Sequence, residues 1–203
     1  MLKNYIGILM LNEKEDNIKS LTKWRSIASI PIGGRYRIID FVLSNMVNSG
    51  IHNIGIFTNT KSRSLVDHLG SGKPWDLDRK INGLFLFNLT PEKSQFREID
   101  ILNDNMEYLY RSPQEYVIIS SSHMLCNIDY NEASKYHEQS GSDMTLLYKK
   151  TNDGKKEYLN CDTLCIDEEN KVSSIGRNIG DVDKQNISME KRSEEHTSEL
   201  QSQ

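Results

Sequence analysis

Two strand-length runs, Tyr5-Ile6-Gly7-Ile8-Leu9-Met10-Leu11 and Asn53-Ile54-Gly55-Ile56-Phe57-Thr58, constrain this chain more than any other feature. Neither alternates apolar with polar residues, so neither suits a strand with one face in water; both suit strands of a parallel sheet, buried on both faces. Between them, Ile39, Leu43, Met46 and Val47 share one face at helical spacing, and Gly50 ends that helix. The pattern repeats further on. Ser62 to Leu69 reads as a short helix stopped by Gly70, and Gly70 to Asp76 as a loop. Asp100 to Tyr110 reads as a helix with Ile101, Leu102 and Leu109 facing a core, and Tyr116 to Ser120 as a third strand. Asp129 and Glu132 have capping-box spacing and open a helix that Gly141 closes. Met144 to Tyr148 is expected to be a fourth strand, with further strands at Cys161 to Ile166 and Val172 to Ile175 around an Asp167-Glu168-Glu169-Asn170 turn. Strands alternating with helices indicate an α/β fold with a doubly wound, mostly parallel sheet. Ligands of such sheets bind beyond the carboxyl ends of the strands, so the loops after Leu11, Thr58 and Ser120 are expected to share one functional edge. The segment Asn12 to Thr22 reads as a charged loop, and Trp24 and Trp75 are expected to be packed.

The 203 residues carry a net charge of -4, which argues against nucleic acid or an anionic membrane surface as partner. No apolar stretch is long enough to span a bilayer. Cys126, Cys161 and Cys165 form neither a zinc nor a disulfide framework and suit a reducing, cytoplasmic setting. The last twelve residues, Arg192 to Gln203, have no apolar periodicity and read as translated sequencing-adapter DNA rather than natural protein, which leaves 1–191 as the part expected to fold.

The run Pro31-Ile32-Gly33-Gly34-Arg35-Tyr36-Arg37-Ile38-Ile39-Asp40-Phe41-Val42-Leu43-Ser44-Asn45 joins a paired-glycine turn, two cations and the start of an amphipathic helix. Paired glycines let the backbone turn sharply and approach a ligand closely. The same run resembles a stretch of the ADP-glucose pyrophosphorylase (glucose-1-phosphate adenylyltransferase) family. Three more blocks follow in the same order: Lys61-Ser62-Arg63-Ser64-Leu65 with His68; Gly72-Lys73-Pro74-Trp75-Asp76-Leu77-Asp78-Arg79; and Glu115-Tyr116-Val117-Ile118-Ile119 leading to His123 and Asp129-Tyr130. The resemblance implies a nucleotidyltransferase domain of GT-A type, here its N-terminal part, without the left-handed β-helix domain that the family uses for assembly. A sheet stopped there is expected to leave an open edge and to be prone to aggregation. The resemblance also implies a set of substrate-binding residues, Gly33, Gly34, Arg35, Arg37, Lys61, Trp75 and Asp100.

The residues that carry the family's chemistry differ. Its phosphate loop reads A-G-G-x-G-x-R-L, where bare amides face a triphosphate and an arginine follows. Here the stretch is Leu11-Asn12-Glu13-Lys14-Glu15-Asp16-Asn17-Ile18, with no glycine and three carboxylates that would repel a polyanion. A family lysine and the proline after it fall on Ile27 and Ala28, and a nucleotide-holding G-T-A-D on Arg97-Glu98-Ile99-Asp100. The aspartate that holds the catalytic magnesium falls on Ser122 of Ser120-Ser121-Ser122-His123, and a neutral hydroxyl is a weak ligand for that ion. No catalytic and no metal-binding residue is therefore assigned. This pattern resembles the D-type subunit of the bacterial enzyme. The resemblance implies a regulatory role in glycogen biosynthesis, in a hetero-oligomer with a catalytic subunit that itself uses magnesium, and with a nucleotide or sugar phosphate as small-molecule partner. Two other readings stay open: a sensing or assembly module that binds without reacting, and a competent nucleotidyltransferase in which Lys14, Arg35 and Arg37 take the phosphates. For single residues the plain structural readings are that Asp40 caps or pairs at the turn, that Arg35 and Arg37 pair with carboxylates, and that His68 and His123 are hydrogen-bonded in place.

Overall fold

The computed structural model describes residues 1–11, 18–58, 62–88, 98–122, 125–159 and 161–188. They fall into two compact units, one ending at Gln139 and the other beginning at Ser140. The first unit is built on four parallel strands, β1 (Tyr5–Leu11), β4 (Asn53–Thr58), β5 (Leu84–Asn88) and β6 (Tyr116–Ser121), in the order β5-β4-β1-β6. A small antiparallel hairpin, β2 (Pro31–Ile32) with β3 (Tyr36–Arg37), leads into helix α2 (Ile38–Asn48).

Both faces of the sheet are covered, which is why β1 and β4 are buried at every position. On one face α2 comes so close to β1 that a Cβ on Gly7 would lie 2.7 Å from the Met46 sulfur. The same face receives α6 (Tyr130–Ser140), anchored by Tyr5 Oη donating to Glu138 (3.0 Å) and by the Tyr116 ring edge-on to His137. The opposite face carries α4 (Glu98–Asp104) and α5 (Met106–Tyr110), with Ile8, Met10, Phe57 and Ile101 buried against Phe87, Leu102, Tyr108 and Leu109. Tyr108 lies over Gly55, and its hydroxyl donates to Asn53 Oδ1 (2.9 Å); burial pushes that phenol far above its ordinary range.

The parallel α/β sheet, its first three expected strands and the helix before Gly50 agree with the sequence reading. Several elements differ. Val42 rather than Val47 completes the buried stripe of α2. The charged loop Asn12–Thr22 ends in a helical turn, α1 (Lys19–Thr22). Helix α3 (Arg63–Leu69) ends at Gly70 as expected, but the following loop contains a 3-10 turn, Lys73–Trp75. The expected helix Asp100–Tyr110 is two short helices, with Asn105 between them donating its side-chain amide to the Ile101 carbonyl (2.8 Å). Strand β5, read from Leu84-Phe85-Leu86-Phe87, was not anticipated. Trp24 is not packed: it is 79% exposed, with the Lys23 ammonium over its ring.

The second unit is an antiparallel sheet, β7 (Tyr148–Thr151), β8 (Asp162–Ile166), β9 (Val172–Arg177) and β10 (Gln185–Ser188), in the order β7-β10-β8-β9. The strand expected at Met144–Tyr148 instead begins at Tyr148 and joins this sheet; Met144 is largely exposed and has no strand partner. The β8–β9 hairpin turns where expected. Asp167 Oδ1 accepts the Glu169 and Lys171 amides, and Asn170 sits at φ 62°. Asn178, almost fully buried, ties the unit together. Its Nδ2 donates to the carbonyls of Gly154, Glu157 and Tyr158, and its Oδ1 accepts from Gly180 N and Gln185 Nε2.

Candidate functional site

In a right-handed β-α-β crossover, the helix that follows a strand starts at the carboxyl edge of the sheet. Here that edge collects the end of β1, the start of α2, the end of β4 with the start of α3, and the end of β6. The strand order places β4 and β5 on one side of β1 and β6 on the other, so the switch point of the topology lies between β1 and β6. That crevice is where this architecture receives ligands.

The hairpin stands at this edge. Ile32 pairs with Tyr36, which leaves Gly33-Gly34-Arg35 as the turn. Gly33 (φ 60°) and Gly34 (φ 77°) both occupy the left-handed region, and a Cβ on either would meet open space. The glycines are therefore demanded by the turn's backbone and not by crowding. Arg35 is exposed at the tip, beside Tyr36 and Phe41, whose rings meet edge to face at 6.3 Å.

Arg37 behaves differently. Its guanidinium donates to the Ser64 carbonyl and to Ser64 Oγ (2.9 Å), and so ties the hairpin to the first turn of α3. The carboxylate pairing considered for Arg37 is thus replaced by bonds to a serine. Asp40, in the first turn of α2 and nearly buried, accepts the Arg37 backbone N–H on Oδ2 (2.9 Å) and His68 Nε2 on Oδ1 (2.6 Å). An ionised carboxylate only accepts, so the His68 proton in this bond resides on Nε2. The His68 ring stands edge-on to half-buried Trp75, 6.2 Å between centroids. Three of the four sequence blocks therefore converge: Arg37 and Asp40 from the first, Ser64 and His68 from the second, Trp75 from the third. The structural readings of Asp40 and His68 agree with these bonds.

One further site residue stands apart from this cluster. Asp100 lies half-buried in α4, on the opposite face of the sheet from α2. Lys61 lies outside the described residues, as do Glu13, Lys14, Glu15, Asp16 and Asn17 of the altered phosphate loop, Arg97 and His123. Where the family's lysine and proline would be, Ile27–Ser29 forms a 3-10 turn with Ala28 fully buried.

At the end of β6, Ser122 is fully buried. The hydroxyls of Ser121 and of Thr58, at the end of β4, are buried with no hydrogen-bond partner among the described residues. These two orphan hydroxyls escaped the sequence reading; each is the last residue of its strand. Hydroxyls are neutral, and as ligands for a magnesium ion they are weak beside a carboxylate. Among the described residues no group of three or more His, Cys, Asp or Glu side chains is placed to hold a metal, and no helix is long and apolar enough to cross a membrane.

The family model described as nucleotidyl transferase matches residues 16–158. Among curated relatives, the chain is 42% identical over 147 residues to the Glycogen biosynthesis protein GlgD of Bacillus subtilis, covering 71% of this chain and 43% of that protein. It is 40% identical over 151 residues to the Glycogen biosynthesis protein GlgD of Geobacillus stearothermophilus, covering 72% and 44%. It is 36% identical over 149 residues to a glucose-1-phosphate adenylyltransferase of Fervidobacterium nodosum, covering 71% and 36%. The chain thus spans less than half the length of each of these relatives.

Proposed function

Because this chain belongs to the nucleotidyl transferase family, we propose that it serves glycogen biosynthesis as a GlgD-type, non-catalytic subunit of a glucose-1-phosphate adenylyltransferase. The observation that carries the proposal is the end of β6, where three successive serines, Ser120 to Ser122, stand in place of a magnesium-binding carboxylate. Without that carboxylate, the end of β6 would offer a magnesium ion only neutral hydroxyls, where the family's transfer calls on the ion for charge stabilisation. The loop after β1 adds to the case by composition, with Glu13, Glu15 and Asp16 and no glycine. The two GlgD relatives support the pathway.

In this reading the scaffold keeps its ligand-facing turn while losing the means to react. Gly33, Gly34 and Arg35 present backbone and one cation to a phosphate-bearing ligand, a sugar phosphate or a nucleotide. Arg37 and Trp75 hold the surroundings, and Lys61 and Asp100 complete the proposed set. The partner is a catalytic adenylyltransferase subunit whose magnesium does the chemistry, and the compartment is the cytoplasm. The test is the full-length protein assayed for ADP-glucose formation from ATP, glucose 1-phosphate and magnesium, alone and mixed with a catalytic subunit. Expected are no turnover alone and altered turnover of the partner in the mixture. Robust turnover alone overturns the non-catalytic assignment. Ser122→Asp is expected to leave the lone subunit inactive, because the loop after β1 still repels a triphosphate.

A further inference from the structure

At the carboxyl edge both oxygens of Asp40 are spent on other elements of that edge: Oδ2 on the Arg37 backbone of the hairpin, Oδ1 on His68 of α3. A nearly buried charge is tolerated only when hydrogen-bonded in this way. Each of its partners holds something further. Arg37 reaches Ser64, so the hairpin's last residue is fixed at both its backbone and its side chain. His68 stands against Trp75, in the turn that follows α3. The rest of the hairpin's hold is the Ile38 amide donating to the Ile30 carbonyl (3.2 Å) and the Tyr36 ring edge-on to Phe41. Strands β2 and β3 are two residues each, and Gly33, Gly34 and Arg35 are exposed with no contact within 4 Å of either glycine's Cβ position.

We infer that Asp40 is a positioning residue: acting through Arg37 and His68, it sets the stance of the Gly33-Gly34-Arg35 turn over the carboxyl edge, where that turn meets a phosphate-bearing ligand. The ligand part of this statement rests on the proposed function above. Asp40 itself touches no ligand in this arrangement; Arg35 does. Loss of Asp40 leaves α2 packed through Ile39, Val42, Leu43 and Met46, all buried, and releases the Arg37 amide and His68.

The test uses the full-length protein and three variants, Asp40→Ala, Asp40→Asn and His68→Gln, with two measurements. The first is amide hydrogen exchange. Asp40→Ala is expected to speed exchange over 33–37 by about tenfold or more, with exchange in residues 148–188 unchanged. His68→Gln keeps a donor near the Nε2 position and is expected to stay within about threefold of the unaltered protein. Should Asp40→Ala fail to fold, Asp40→Asn carries the measurement, since the amide is isosteric but has one acceptor oxygen and so accepts from at most one of the two partners. The second is calorimetric binding of ATP and of glucose 1-phosphate. Asp40→Ala is expected to weaken binding of the probe about tenfold, with His68→Gln keeping most of the affinity. Unchanged exchange over 33–37 in both Asp40 variants overturns the inference, and so does undiminished binding in a variant whose turn exchanges faster. If the unaltered protein binds neither probe while the exchange result is as expected, the ligand reading of the turn falls and Asp40's hold on it stands.

Discussion

At Arg37 the guanidinium is committed to Ser64, whereas two residues earlier Arg35 stands exposed at the tip of a turn. The pair therefore separates affinity from stability. Arg35→Ala is expected to weaken binding of a phosphate-bearing probe by several-fold and to leave the unfolding midpoint unchanged, as surface substitutions away from packed features do. Arg37→Ala is expected to lower stability by about 1–2 kcal/mol through the loss of charge-assisted bonds to Ser64. Calorimetric titration and urea unfolding of both variants distinguish these outcomes. His52 offers a second residue-level prediction. Burial holds its imidazole below the ordinary 6.5, with Arg79 and Lys3 pushing the same way and Asp76 against them, and its Nδ1 has no partner among the described residues. The unfolded chain therefore takes up this proton more readily than the folded one. The contribution is absent above the ordinary value, and stability falls as pH drops through 6.5 toward the lowered value. Comparing urea midpoints at about pH 7.5 and 5.5, His52→Asn is expected to lose less stability on acidification than the unaltered protein.

Two glycines decide how closely helices approach the parallel sheet, one on each face. A Cβ on Gly7 would meet the Met46 sulfur at 2.7 Å, and one on Gly55 would meet the Tyr108 ring at 2.7 Å. The distances match but the neighbours do not. Methionine is unbranched and moves aside readily, while Tyr108 is fixed by its bond to Asn53 and by Phe85 and Phe87 around its ring. Gly55→Ala is expected to cost about 1–3 kcal/mol and Gly7→Ala clearly less, by chemical denaturation. This contrast also marks where sequence ceases to inform. Strands β1, β4 and β6 and the stripe of α2 follow from local apolar pattern, because burial on one or two faces writes itself into neighbouring residues. The union of Arg37 with Ser64 and of Asp40 with His68 spans 27 and 28 residues, and no local pattern encodes it. The break at Asn105 escaped because Ile101, Leu102 and Leu109 keep helical spacing across it. Strand β10 escaped because Gln185-Asn186-Ile187-Ser188 buries mainly Ile187 and has no apolar run to announce it. Strand β5 was legible in Leu84 to Phe87 and was missed. Trp24 was misjudged because a large ring is ordinarily buried, and nothing nearby in sequence reveals that it faces water.

Across the whole molecule, the parallel sheet of the first unit and the antiparallel sheet of the second each close around their own core, Ile8, Met10, Phe57 and Ile101 in one and Leu164 and Ile187 in the other. The first unit's sheet has two edge strands among the described residues, β5 and β6. Strand β6 has β1 on one edge and no strand on the other among the described residues, and Val117 and Ile119, on the face away from α6, are 44% and 40% exposed. An open edge beside exposed β-branched residues is a template for unwanted pairing. Ile119→Lys is expected to reduce light scattering on warming while changing the unfolding free energy by less than about 1 kcal/mol. The order β5-β4-β1-β6 has a further consequence for synthesis. Of this sheet's four strands the earliest made is an interior one, and its second neighbour begins only at Tyr116. Through that interval the nascent polypeptide carries its central ladder half made, and residues 116–121 must arrive before the fold can lock.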